Sequence, residues 1–190
     1  MSPNQFTALE SPSLLLRRFH ESDLETFLAY RNDPDVSRYQ LWDSITRQEA
    51  ADFIESQQTA QPDVPGRGFQ FAVEQKGAGN LIGDCYLKID EADPLQAEFG
   101  VSIATEHQRR GFAREAVSTV LDYVFSSLDL HRIIARTDCE NDASIALLER
   151  LGMRREGHFI QNIWFKGKWG DEYLYAILKD EWLAIQGAGS

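Results

Sequence analysis

The chain has few of the residues that hold metals or build disulfide frameworks. It carries two cysteines, Cys85 and Cys139, far apart and outside any CxxC pair, and four scattered histidines, His20, His107, His131 and His158. No H-E-x-x-H and no zinc-ligand spacing occurs. Two reduced thiols and no metal centre are therefore expected. Basic residues are also in deficit. There are 19 Lys and Arg against 30 Asp and Glu, a formal charge of −11. A surface of that sign repels nucleic acid and anionic lipid, and it suits small cationic partners such as amines. No apolar run approaches the roughly 20 residues of a membrane helix. Residues 1–10 lack the basic start and apolar stretch of a signal peptide. The expectation is a cytoplasmic protein with neither nucleic acid nor membrane as partner. Internal repeats and low-complexity segments are missing too.

What is present is core-forming. Apolar residues make up 43% of the 190 residues and aromatic ones 11%, enough for one ordered core. Leu14 to Phe19 reads as a strand. Ser22 or Asp23 caps a helix to about Arg31, with Leu24, Phe27 and Leu28 on one face, and Asn32-Asp33-Pro34-Asp35 breaks it. Thr46 to Gln58 reads as a helix whose Thr46 and Glu49 have capping-box spacing. Strands follow at 69–74, 81–89 and 97–104, separated by polar turns. From Ala113 to Leu128 the apolar residues recur at intervals of three and one, the mark of one helical face. Arg132 to Asp138 is a strand, and Asp142 to Leu151 a helix stopped by Gly152. Arg154 to Phe165 and Asp171 to Leu178 read as final strands around a Gly167/Gly170 turn. The order β-α-α-β-β-β-α-β-α-β-β predicts a single α+β domain, one mixed layer, over residues 1–190.

The stretch from Val101 to Ala113 carries the chemistry. A strand ending in Val101, Ser102 and Ile103 runs through Gln108, Arg109, Arg110 and Gly111 into Phe112, Ala113 and a strong helix. A helix N-terminus offers unpaired N–H groups and partial positive charge to an anion. Gly111 removes a side chain where a phosphate would approach backbone, and two arginines add charge. The residues alone suggest a pyrophosphate site, with an ordinary strand-to-helix loop as the rival reading.

Gln108-x-x-Gly111-x-Ala113 resembles the acetyl-CoA motif of the GNAT superfamily of N-acetyltransferases, Gln/Arg-x-x-Gly-x-Gly/Ala. The run Asn141-x-x-Ser144, Leu147-Leu148, Leu151-Gly152-Met153 and Glu156-Gly157 is similar to that of the RimJ/RimL-like branch, which acetylates ribosomal-protein N-termini. Leu16-Arg17, Asp23, Ile82-Gly83, Ala97 to Gly100, Leu130 to Ile133 and Trp182 agree, so the likeness spans about 14–182. Met153 and Ala113 depart from the commonest residues, Phe and Gly. The resemblance implies a mostly antiparallel, twisted central sheet with helices on both faces. It also implies acetyl-CoA as co-substrate and no metal.

The same resemblance assigns the site. Val101, Ser102 and Ile103 would face the pantetheine arm from a splayed strand. Gln108, Arg109, Arg110, Gly111, Phe112 and Ala113 would hold the pyrophosphate, and Asn141 the coenzyme arm. Ser144 is the candidate general acid, with a helix-capping role as its rival. Glu98, opposite in facing to Phe99 and Val101, is the candidate base, with a solvated strand residue as its rival. An α-amine of pKa ~7.8 costs under about 1 kcal/mol to deprotonate at pH 7.4, and a lysine of pKa ~10.4 about 4. One carboxylate therefore suits an α-amine. The expected acceptor is a protein N-terminus; the alternatives are a small amine (polyamine, amino acid or aminoglycoside) or a sensor that binds coenzyme without catalysis. Arg38, Tyr39 and Trp42 could line the acceptor cleft or pack locally. Lys166, Lys168 and Trp169 read as a solvated hairpin tip. Monomer and homodimer remain equally open.

Overall fold

The computed structural model describes residues 6–188. Two strands open the chain, β1 (Ala8–Glu10) and β2 (Leu14–Arg17), followed by α1 (Leu24–Arg31), α2 (Pro34–Ser37) and α3 (Arg47–Thr59). Next come β3 (Gly68–Gln75), β4 (Asn80–Ile89) and β5 (Gln96–Ile103), then α4 (Phe112–Asp122), β6 (Arg132–Asp138) and α5 (Asp142–Arg150). The hairpin β7 (Arg154–Phe165) and β8 (Lys168–Leu178) leads into α6 (Lys179–Ala188). The eight strands form one open sheet in the order β1-β2-β3-β4-β5-β6-β8-β7. Every neighbouring pair is antiparallel except β5 and β6.

Period-2 alternation sorts the strand residues onto two faces. Cross-strand partners Phe71, Cys85 and Val101, with Phe69, Leu87 and Phe99, point to one face. Ala116, Val117, Val120, Leu121 and Val124 of α4 are buried in the same cluster. Ala72, Asp84 and Ser102, with Gln70, Tyr86 and Gly100, point to the other. There α1 and α3 build a second core from Phe27, Tyr30, Ala50 and Ile54. Gly83 is forced by the closeness of β4 and β5, since a Cβ on it would lie 2.2 Å from the Ser102 carbonyl oxygen.

Two buried ionic clusters lock helices to the sheet. Arg17 grips Asp23 through both terminal nitrogens, at 2.7 and 2.9 Å, and Glu74 through Nε at 2.5 Å. The Asp84 carboxylate accepts from Arg31 at 2.9 Å and also from Tyr30 and Gln70. Burial, reinforced by the Asp84 charge, pushes the Tyr30 phenol well above its ordinary range.

The expected elements are all there, with differences of detail. Asp23 does not cap α1 forward. Its carboxylate turns back to Arg17 and to the His20 N–H at 2.8 Å, and a short 3₁₀ turn over 21–23 starts the helix. Of the expected apolar face, Phe27 is fully buried while Leu24 and Leu28 are half-buried; Tyr30 and Arg31 are buried instead, because α1 lies over Asp84. Pro34 breaks α1 and at once starts α2, with Asp33 as its N-cap. The long helix runs as α-helix to Asp122 and then widens over 123–127, where the Leu128 N–H bonds the Tyr123 carbonyl five residues back. The last hairpin turns at Lys166-Gly167, both at positive φ, while Gly170 lies inside β8. Three elements were not expected: β1, α2 and α6. Among the described residues no helix is long and apolar enough to cross a membrane.

Candidate active site

The parallel pair β5–β6 is short. Gln96, Ala97 and Glu98 pair with Arg132, Ile133 and Ile134, and there the pairing ends. Beyond that point the two strands part, and β5 keeps its ladder to β4 as far as Ile103. The Ala104 N–H bonds the Ile82 carbonyl at 2.9 Å. By alternation the backbone of Ser102 therefore faces β4, while Val101 and Ile103 turn N–H and C=O into the opening. Of the three expected residues, Val101 presents free-edge N–H and C=O to the splay and Ile103 its N–H, the Ile103 carbonyl being taken by the Gln108 side chain. Ser102 is instead a buried neighbour of Asp84 on the α1–α3 face.

The loop that follows is shaped by its own residues. The Gln108 side chain donates to the Ile103 carbonyl at 2.9 Å, which ties the loop to the end of β5. Arg109 and Gly111 adopt left-handed backbone, φ 60° and 88°, and Gly111 is the N-cap of α4. No side chain caps this helix, so its first N–H groups are left for an external acceptor. A Cβ on Gly111 would meet nothing within 4 Å; the glycine is needed for its φ rather than for space. Phe112 sends its ring into the core and Arg110 stacks over it, 5.2 Å from the centroid. Arg109 and Arg110 are exposed beside the uncapped turn. Thr105 donates to Asp33 at 2.6 Å, fastening the same loop to the start of α2.

Across the opening stands α5. Asn141 is its N-cap, and its Oδ1 accepts the Ser144 N–H at 3.1 Å. Asn141 caps the helix, and the half-buried Ser144 hydroxyl has no partner among the described residues. The Asn141 Nδ2 is likewise uncommitted. Cys139, two residues before the cap, is a thiol whose pKa burial raises, so it is no ready nucleophile.

Glu98 lies at the vertex of the splay on the α1–α3 face. Its carboxylate accepts from Arg136 of β6 at 2.9 Å, across the point where the strands part. Lys88 is its cross-strand partner on β4. Tyr86, next along, has its phenol pKa raised by burial and by the Glu98 charge. A Cβ on Gly100 would touch only the Tyr86 Cβ, at 3.9 Å, so the floor beside Glu98 is open. Arg136 had no signal in the sequence, since only the register brings it to Glu98. Trp42 packs: its ring stacks 4.0 Å over the Arg31 guanidinium and its Nε1 donates to the Arg31 carbonyl at 3.0 Å. Tyr39 donates to the Glu140 carbonyl at 3.0 Å. Lys166 is no free hairpin tip, because it bonds the Ser37 carbonyl at 2.8 Å and Asp43 at 3.0 Å.

Residues 13–154 match the acetyltransferase (GNAT) domain family. The chain belongs to that family. This GNAT protein is 32% identical over 175 residues to the N-acetyltransferase p20 of Bacillus licheniformis, covering 92% of this chain and 97% of p20. It superposes on a GNAT-family acetyltransferase of Bacillus anthracis with a TM-score of 0.82 at 31% identity, over 92% of this chain and 99% of that one. A spermidine N-acetyltransferase of Vibrio cholerae, solved with CoA and spermine, gives 0.78 at 28% identity, over 91% and 99%. The fold is the GNAT acyltransferase fold, and the chain is an acetyl-CoA-dependent N-acetyltransferase.

Proposed function

We propose that this GNAT enzyme acetylates a primary amine presented on the α1–α3 face of the splay, with the α-amine of a protein N-terminus as its first acceptor class. The observation that carries the reading is the parting of β5 and β6 after Glu98 and Ile134, beside the uncapped start of α4. The RimJ/RimL-like branch is the kinship that best accounts for a free Ser144 hydroxyl in the first turn of α5.

When bound, acetyl-CoA supplies the acetyl thioester. The first N–H groups of α4, with Arg109 and Arg110, hold the pyrophosphate. Val101 and Ile103 offer backbone groups to the pantetheine arm, and the Asn141 Nδ2 donates to it. The Val101 N–H is aimed to steady the carbonyl oxygen as it gains charge. The amine nitrogen bonds the carbonyl carbon and the carbon–sulfur bond breaks. Glu98 draws the ammonium form in and takes its first proton through water; Ser144 passes a proton to the departing sulfur and regains one from the second proton that the nitrogen sheds as it becomes an amide.

A second reading, a small polycationic amine as acceptor, is favoured by a specific feature. Asp138 and Glu172 face each other farther out on the same sheet face, where a distal ammonium group could rest, and the Vibrio neighbour was solved with spermine. The test is thiol release from acetyl-CoA against N-terminal peptides, polyamines, amino acids and aminoglycosides. Turnover of peptides supports the first reading and turnover of polyamines alone the second. Coenzyme binding with silence across the panel would count against both.

A further inference from the structure

The Glu98–Arg136 ion pair points to how the acceptor is selected. Glu98 is the last residue of β5 to pair with β6, and Arg136 lies two residues past the last paired residue of β6. The pair thus bridges the splay at its vertex, on the face opposite α4. Both side chains remain accessible, at 36% and 43%. An ion pair so exposed is weak, so a ligand carrying both charges can open it at little cost. Lys88, the β4 partner of Glu98, adds a second cation on the same face. One carboxylate is therefore flanked by two cations. Two carboxylates lie farther along, and local donors occupy each: Asp138 accepts the Glu140 N–H at 2.7 Å and Glu172 accepts from Asn162 at 2.5 Å.

We infer that Arg136 is a specificity-determining residue that reads an oxygen next to the reacting amine. The ammonium group takes the Glu98 carboxylate, and the guanidinium turns to the carboxylate or carbonyl oxygen one carbon away. A planar, forked donor suits that oxygen better than a point charge. The acceptor class is then α-amino acids and peptide N-termini, and simple alkylamines lose the second contact. The open space above Gly100 leaves room for the substituent between the two groups. This rests on the proposed seating of the acceptor at Glu98.

The test compares acceptors with and without that oxygen, and the Arg136 variants separate its recognition from the lower pKa of an α-amine. Lysine is set against cadaverine, and a tripeptide against the alkylamine of its first residue. Wild type, Arg136→Gln and Arg136→Lys are assayed for kcat/KM. Acceptor binding to the CoA-loaded protein is measured in parallel by calorimetry, which decides the inference even where turnover is silent. Wild type should prefer the oxygen-bearing partner at least about tenfold, the worth of one charge-assisted contact. Arg136→Gln should erase that preference through KM while coenzyme affinity stays unchanged, and Arg136→Lys should restore part of it. Equal handling of both partners by wild type, or a preference untouched in Arg136→Gln, overturns the inference. Loss of coenzyme binding in wild type would instead strike the proposed function.

Discussion

The side chain of Asn141 accepts the backbone N–H of Ser144 at 3.1 Å, and this one bond separates two roles that the sequence leaves merged. The cap belongs to Asn141. The Ser144 hydroxyl makes no bond that stabilises the fold.

Removing that hydroxyl should therefore affect chemistry alone. Ser144→Ala is expected to lower kcat by about 100-fold, the low end for a lost general acid, with acetyl-CoA affinity and melting temperature little changed. Steady-state kinetics and calorimetry check it. Equal loss of turnover and affinity would make Ser144 a binding group.

Asn141→Ala should behave in the opposite way. Losing the cap costs about 1 kcal/mol, read as a lower urea midpoint, and the proposed donor to the coenzyme arm goes with it, so affinity should fall as well.

Gly83→Ala tests the register of β4 against β5. Its methyl group would lie 2.2 Å from the Ser102 carbonyl oxygen, which must move. Overpacking of this kind costs about 1–3 kcal/mol. Since β5 carries Val101, activity should fall more than stability alone explains, as a denaturation curve and kcat measured together would reveal.

The alkaline limb of stability should carry the mark of Tyr30. Its phenol is held well above the ordinary tyrosine value of 10.0 by burial and by the Asp84 charge. The folded state keeps the proton while the unfolded chain releases it. This contribution is whole below the unfolded pKa and is lost as pH rises toward the folded one. Urea midpoints should fall above pH 10, less steeply in Tyr30→Phe. Tyr123, pushed up to about 12 chiefly by burial, adds to the same limb, so the variant should flatten it only in part.

Much of this was legible because it is periodic. The buried face of α4 and the alternation along β3, β4 and β5 follow from spacing alone, and the glycine-bearing loop into α4 from residue types at fixed offsets. The elements that escaped have little periodic content. β1 has three residues and α2 four. α6 buries one large residue, Trp182, which donates to Asp122 at 2.8 Å, and leaves Leu183 and Ile185 half-exposed. Pairings made by register are invisible in one sequence. Arg17 and Asp23 were visible as parts of a motif but not as one ion pair, Asp84 gave no signal, and Arg136 reaches Glu98 only because β5 and β6 part where they do.

The most direct measurement is calorimetric titration of acetyl-CoA into the wild-type chain and into Gly111→Glu. Gly111 has open space around it but needs φ 88°, so the substitution costs about 1 kcal/mol of backbone strain and leaves the fold standing. It sets a carboxylate at the uncapped start of α4, where we propose that the pyrophosphate binds. Saturable binding to wild type is expected, and none to a variant whose circular dichroism and cooperative melting are preserved. Unchanged binding to a folded Gly111→Glu would contradict the proposed site.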